Sequence, residues 1–283
     1  VLTKSITTEL FFKMAHEMSM NSPVKVPNAD WLLLVATSDE LAGLKVAAKQ
    51  LGLTVTKRTD PFLGKYHRVV RGEELIAVVV KTAMGAVGTN SSTATAWRFQ
   101  AATQATTVIQ VGMAFGVDPR HQKSGDVLVA SAVLSYDQRD IRGEGDDEKI
   151  TYERAVPLPA NTDVVARCRQ YTDAWSEKYP EVSVQFGTML SGGSRISSAS
   201  FRDRLVSDLA SRSDDPIIGG EMEAVGLIGV GGRRTPQWAV IKGISDFADG
   251  ERERYIETTR PIACENAARF ALGAILTPPT PIS

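Results

Sequence analysis

Apolar positions along this chain fall into short blocks of two kinds. Runs such as "WLLLVA" (31–36), "LIAVVV" (75–80), "TTVIQVG" (106–112), "DVLVASAVL" (126–134), "VSVQFGTML" (182–190) and "QWAVIKGI" (237–244) are nearly continuous in Val, Ile and Leu. Unbroken apolar runs of this length predict strands buried on both faces. Between them, "DELAGLKVAAKQLG" (39–52) carries helical spacing and closes on Gly52, a residue suited to the left-handed position after a helix. Further helices are predicted over 87–103, 161–178, 200–211, 222–230 and 260–276. Residues 65–71 and 74–82 read as a hairpin turned at Gly72, and Ile217-Ile218 as a brief strand. Residues 3–20 also carry helical spacing before "NSPVKVPN" breaks it, which predicts a helical N-terminal extension over 1–29. "TPPTPIS" (277–283) reads as a Pro-rich tail of the kind found in linkers. The alternation over 30–276 predicts one α/β domain with a mainly parallel sheet.

One segment departs from this rhythm. "YDQRDIRGEGDDEKITYER" (136–154) is charged and aperiodic, which fits a solvated loop or a mobile lid. Composition narrows the function classes. The chain is 43% hydrophobic and 23% charged with a formal net charge of -1. That balance carries no electrostatic footprint for nucleic acid or an anionic membrane. The apolar runs are too short to span a bilayer. Cys168, Cys264, His16, His67 and His121 form no metal-ligand spacing, and the cysteines read as buried free thiols. Without a disulfide framework or a leader-like segment, a cytoplasmic protein is expected.

In open α/β sheets, ligands bind beyond the carboxyl ends of the strands. After 31–36 comes "TSDE", ending in Glu40; after 106–111 comes the glycine-punctuated "GMAFGVDP". After 182–190 comes "SGGSRISS", after Ile217-Ile218 comes "GGEMEAVG", and after 237–241 comes "KGISDFAD". Three strand ends therefore bring acidic groups to one edge, and glycines let backbone approach a ligand closely.

"GEMEAVG" and "ISDFAD", about twenty residues apart and each following a strand, resemble the nucleoside phosphorylase and nucleosidase superfamily, most closely the methylthioadenosine/S-adenosylhomocysteine nucleosidases. The resemblance covers roughly 30–276. It implies a three-layer α/β/α domain with a twisted, mainly parallel central sheet, in a homodimer or higher homo-oligomer. It also implies a purine nucleoside or nucleotide as ligand, and no metal or organic cofactor. By likeness Glu223 accepts hydrogen bonds from adjacent ribose hydroxyls, and Met222 supplies an adaptable apolar wall. Asp246 protonates N7 of the departing purine, oriented by Ser245. Glu221 either pairs with Lys242 or helps hold water.

The superfamily divides by nucleophile, phosphate or water. Phosphate users carry arginines after the first strand and before the glycine turn of a middle strand. Here the first strand ends in "ATSDEL", and Gln110 lies where the second arginine would be. Glu40 matches the nucleosidase glutamate that binds and deprotonates water, and a carboxylate there also repels phosphate. Lys242 stands where many nucleosidases have arginine, keeping the charge without the bidentate fork.

For the base, "LSGGSRISS" corresponds to the family's contacting loop, with Arg195 replacing a stacking phenylalanine and Ile196 reading the base edge through its backbone. In "GMAFG", Gly112 and Ala114 remain as close-approach positions, while Met113 and Phe115 replace a serine and a second glycine. The 5′ side is open. A methylthio or homocysteine substituent needs an apolar pocket, whereas a nucleotide needs cations, for which Arg139, Arg142, His121, Lys123, Arg252 and Arg254 are available. The resulting expectation is hydrolysis of an adenine nucleoside. An adenine-nucleotide nucleosidase of a defence system stands as the alternative, ahead of a phosphorylase or a ligand sensor.

Overall fold

The computed structural model describes residues 26–227 and 237–278. The expected N-terminal helix over 3–20, residues 228–230 of the helix expected over 222–230, and most of the Pro-rich tail lie outside them. Twelve strands and five α-helices follow one another through the described residues. The opening unit is β1 (Trp31–Val35), α1 (Ser38–Gln50), β2 (Thr54–Asp60), β3 (Gly64–Arg71) and β4 (Glu74–Lys81). Then come α2 (Ser92–Thr103), β5 (Thr107–Gly116) and β6 (Val127–Ser135). A small ribbon of β7 (Asp140–Arg142) and β8 (Lys149–Thr151), then β9 (Leu158–Pro159), lead to α3 (Thr162–Lys178). The chain continues through β10 (Val184–Ser191), α4 (Ala199–Leu209), β11 (Ile217–Glu221), β12 (Gln237–Asp246) and α5 (Arg252–Leu276).

Ten of these strands form one sheet in the order β11-β10-β6-β12-β5-β1-β4-β3-β2, with β9 on β6. Strands β4, β1, β5 and β12 are mutually parallel, as are β6, β10 and β11. The two blocks run against each other where β12 meets β6. They meet again where Gly219 and Gly220 of β11 pair antiparallel with Gly116 and Phe115 of β5, closing five strands into a ring. This closure brings the carboxyl ends of β5 and β11 together, so chemistry carried at the ends of both blocks converges.

Period-two alternation sends successive side chains to opposite faces. Leu33, Val35, Ile109 and Ile241 pack beneath α1, α3 and α5 through Leu44, Trp175 and Phe270. Leu32, Leu34, Val108 and Val240 pack beneath α2 through Ala96 and Phe99. A smaller cluster joins Phe115, Tyr136 and Ile196 to Leu205 and Leu209 of α4. The result is the expected α/β/α layering. Cys168 and Cys264 are free and buried, and burial pushes the Cys168 thiol up to about 12.

Three local expectations are corrected, and one strand was not anticipated. The segment "GMAFG" is not a turn: β5 runs through it to Gly116, held by β12 on one side and β11 on the other. The helix expected over 222–230 is, within the described residues, a single 3-10 turn at Ala224–Leu227. There Gly226 lies so close to Ser92 and Thr93 that a Cβ would collide with them. Helix α5 begins eight residues before 260 and passes through Pro261. Proline at that point mimics the first turn of a helix, but Thr259 Oγ1 donates to Ser245 O at 2.6 Å and Tyr255 OH to Asp249 Oδ1 at 2.9 Å, fastening the earlier turns. Strand β2, "TVTKRTD", is an exposed charged edge with too few apolar residues to announce itself.

Helix α1 touches α5 at Gly43, where an added Cβ would lie 2.8 Å from the backbone carbon of Cys264. Overpacking costs about 1–3 kcal/mol, against about 1 kcal/mol that alanine gains over glycine in a helix. Because the obstruction is backbone, Gly43→Ala is expected to lower Tm; a thermal melt showing equal or higher Tm would refute this packing.

Candidate active site

A cleft of about 110 Å³ opens at the carboxyl ends of β1, β5, β11 and β12. Its walls include Glu40, Ala114, Phe115, Arg195, Ile196, Glu221, Met222, Glu223, Ser245 and Asp246. Two of the sequence candidates, Gly112 and Lys242, lie behind that surface.

Glu40 is the third residue of α1 and closes a capping box with Thr37. Its Oε2 accepts from the backbone N–H of Ala36 at 2.5 Å and of Thr37 at 2.9 Å. Its Oε1 accepts from Met113 N at 3.0 Å. The carboxylate fills the space over Gly112, where any Cβ would collide with it. Glu40 is only 2% exposed. Burial, reinforced by Glu223, raises its pKa above the usual carboxylate range, while Lys242 and the N–H donors pull the other way.

Lys242 sits in the middle of β12 with 0% exposure. Its Nζ lies 3.2 Å from Glu221 Oε2 and 3.1 Å from Glu223 Oε2. Burial alone would push the ammonium down, but Glu223, Glu221 and Glu40 hold it above the ordinary lysine value. Glu221 ends β11 and turns back to accept from Glu223 N at 2.9 Å and Ala224 N at 2.9 Å. Burial raises its pKa against the pull of Lys242. Burial also opposes charge on Glu223, yet Lys242, with the Gly85 N–H donating at 3.2 Å, brings its pKa below the usual range. Ser92 Oγ donates to Glu223 O at 2.7 Å, tying this turn to the start of α2.

Asp246 ends β12, beside Phe115 of β5, just past a register shift in the strand pairing. Oδ2 accepts from Ser245 Oγ at 2.8 Å and from Arg252 Nε at 3.2 Å, and Oδ1 from Ala248 N at 3.0 Å. Ser245-Asp246 is therefore the end of a strand rather than the cap of a helix.

Arg252 is the residue that sequence reasoning undervalued. It stood among six cations for the 5′ side, but it is nearly buried, lines the cleft and pairs with Asp246. Its place in the first turn of α5, six residues after Asp246, was concealed by the late helix start. The other five do not line the cleft; Arg142 pairs with Glu153, Arg254 with Glu251 and His121 with Asp118. Thr37 and Ser194, within the strand-end segments "TSDE" and "SGGSRISS", also line it, as does Met84, which carried no sequence signal. Phe115 does two things, packing in the α4 cluster and facing the cleft. Gln110 is fully buried and does not line it. The charged 136–154 segment reaches the rim: Tyr136 OH donates to Ser194 O at 2.7 Å, and Gly193 N donates to Asp137 Oδ2 at 2.8 Å.

A mixed sheet closed into a ring, with four carboxyls from three segments around one cleft, defines an α/β protein with a pocket at the strand ends. Residues 32–276 match the model of the phosphorylase superfamily, and the chain belongs to that superfamily. Among curated proteins, a death domain-containing ATP nucleosidase of Amphimedon queenslandica is 25% identical over 264 residues, covering 86% of this chain and 47% of the relative. The chain thus spans about half the length of that relative. Among solved structures, the futalosine hydrolase of Helicobacter pylori superposes with a TM-score of 0.67 at 19% identity, covering 87% of this chain and 97% of that one. A 5′-methylthioadenosine/S-adenosylhomocysteine nucleosidase of Neisseria meningitidis, in complex with methylthio-immucillin-A, gives 0.66 at 16% identity, with the same coverage of both chains. At these identities the two structures establish a shared fold.

Removing the ammonium would leave Glu221 and Glu223 buried without a counter-charge. Breaking a buried pair in this way costs about 3–5 kcal/mol. Lys242→Met is therefore expected to lose that much unfolding free energy by urea titration at neutral pH. The deficit should shrink as the pH falls and the orphaned carboxylates take up protons.

Proposed function

We propose that this chain hydrolyses the N-glycosidic bond of an adenine nucleoside unit, releasing free base. One observation carries the reading: Glu40, Glu223 and Asp246 share a single cleft, each with its own fixed hydrogen-bond set. Cleavage of this bond needs a grip on the ribose, an acid for the leaving purine and a base for the nucleophile. Glu223, anchored by Lys242 and Gly85, retains lone pairs to accept from vicinal hydroxyls, with Met222 and Met84 as apolar walls. Asp246 delivers a proton to the purine, and Ser245 fixes its carboxyl. Glu40, facing Met113, takes the proton of the attacking water. Arg252, paired with Asp246, is a positioning residue for that carboxyl. Arg195 and Ile196 border the base. Glu40, Glu221, Glu223 and Asp246 outnumber Lys242, Arg195 and Arg252 around the cleft, which favours positive charge developing on the sugar in an oxocarbenium-like transition state.

The same excess of carboxylates disfavours a phosphate trianion as nucleophile, and Gln110 offers no cation to the cleft. Water is accordingly the nucleophile. A second reading concerns the 5′ group. Likeness to an ATP nucleosidase and the guanidinium groups of Arg195 and Arg252 at the cleft favour an adenine nucleotide. The methionine and phenylalanine walls favour a methylthio or similar apolar substituent. Adenine release from methylthioadenosine, adenosine, AMP and ATP, measured by chromatography with and without phosphate, separates these. Phosphate dependence would overturn the hydrolytic reading.

Asp246→Asn is expected to lower kcat by about 10²–10⁴-fold, the usual contribution of a positioned general acid. A loss confined to KM would assign Asp246 to binding alone. Glu40 acts as a base only when ionised, and its pKa is raised, so activity should fall as pH drops through a value above the usual carboxylate range. Glu40→Gln should abolish adenine release at every pH; a surviving acid limb in that variant would place the titrating base elsewhere.

A further inference from the structure

A second recess, of about 620 Å³, lies beside the cleft on the same edge of the sheet. The strand register fixes this neighbourhood: Val35 at the end of β1 pairs with Lys81 at the end of β4, and Thr82 N donates to Val35 O at 2.8 Å. Glu40 follows the first of these strand ends, and Lys81 lines the recess at the second. Lys81 Nζ donates to Ser38 Oγ at 2.9 Å, in the same helical turn as Glu40. The segment between β4 and α2 separates the two spaces. Its Gly85 N–H serves Glu223 on the cleft side, while Asn90 lines the recess and accepts from Arg98 Nη2 at 3.3 Å.

The recess has a single sign of charge. Lys45 comes from α1, Lys57 and Lys65 from β2 and β3, Lys81 from β4, and Arg98 from α2. No carboxylate lines it, and among the described residues none of these five cations has an ion-pair partner. In a chain of net charge -1, that concentration is a local feature rather than a reflection of composition. His67 provides an independent observation. It stands opposite Lys57 across the β2–β3 pair, is 6% exposed, and its Nδ1 is buried without a hydrogen-bond partner among the described residues. A buried polar nitrogen in that state is costly unless something meets it. An acceptor in the recess would meet it and relieve the repulsion among the cations.

We infer that this recess binds a phosphate chain, through Lys45, Lys57, Lys65, Lys81, Arg98 and His67. An extended, multiply charged anion fits cations arriving from five separate elements better than a single carboxylate does. The chain can come from two sources: the 5′ end of a nucleotide whose ribose occupies the neighbouring cleft, or a separate polyphosphate ligand. Only the first rests on the nucleosidase reading.

The test is calorimetric titration of the 283-residue chain with inorganic tripolyphosphate, against the double variant Lys57→Glu/Lys65→Glu and its milder form Lys57→Gln/Lys65→Gln. Circular dichroism verifies that each is folded. The native chain is expected to bind with an affinity that falls as salt rises. The charge-reversed variant should lose at least about tenfold, since hydrogen bonds to charged groups are each worth that much, and the neutral variant should lie between. Absence of binding to the native chain, or equal affinity in the charge-reversed variant, overturns the assignment. Kinetics then separate the sources. If kcat/KM falls for ATP but not adenosine, and tripolyphosphate competes with ATP, the chain is the substrate's own. If both substrates are unaffected while tripolyphosphate affinity is lost, the ligand is separate. Should neither substrate release adenine, the nucleosidase reading fails while the titration still decides the recess.

Discussion

The structure turns on one ammonium group held inside a β-sheet. Lys242 lies mid-strand in β12, paired on both sides, and its side chain is fully buried. Burying an isolated ammonium costs several kcal/mol even after relaxation. Only the carboxylates of Glu221 and Glu223 make the position tenable, and neither of them could be buried without Lys242. Register extends the constraint to a third carboxyl. Lys242 stands opposite Gly112 of β5, and the side-chain volume that glycine lacks is occupied by Glu40. Helix α1, strands β5 and β12 and the end of β11 are thus bound by one electrostatic agreement.

That agreement gives the carboxyls different characters. Glu223 has the ammonium and a backbone N–H, and is drawn below the usual range. Glu40 and Glu221 are deeper than their compensation allows, and are drawn above it. Separated environments for neighbouring carboxyls are how one pocket supports distinct acid, base and binding roles. Asp246 stands apart, in an ion pair with Arg252 and a hydrogen bond to Ser245. The Lys242 cluster and the Asp246–Arg252 pair are independent units meeting at one opening.

Much of this was legible in the sequence because buried strands are written as unbroken apolar runs. The ends of such runs, marked by "TSDE", "GGEMEA" and "ISDFAD", are where chemistry collects. What was not legible depended on partners distant in sequence. The extension of β5 through Phe115 and Gly116 exists because β11 pairs with it antiparallel. The early start of α5 exists because Thr259 and Arg252 fasten it to the end of β12. Edge strand β2 has no apolar face to write. Arg252 escaped weight for the same reason as the helix start: its neighbour Asp246 is reached through a tertiary turn, and no periodicity records that.

A near-neutral chain can still be strongly polarised, and here the polarity runs along one sheet edge. Around the cleft that edge carries Glu40, Glu221, Glu223 and Asp246 against Lys242, Arg195 and Arg252; around the recess it carries lysines and Arg98 with no carboxylate in the lining. Parallel pairing of β1 with β4 makes the two regions adjacent, and the segment after β4 serves both, giving its Gly85 N–H to Glu223 on one side and Asn90 to the cations on the other. A ligand with a cationic transition state at one end and a phosphate chain at the other would meet complementary charge at each. Adjacent fields of opposite sign also oppose binding in the reverse sense, since that would set the phosphate chain against the carboxylates. Orientation would then follow from electrostatics before any shape contact is made.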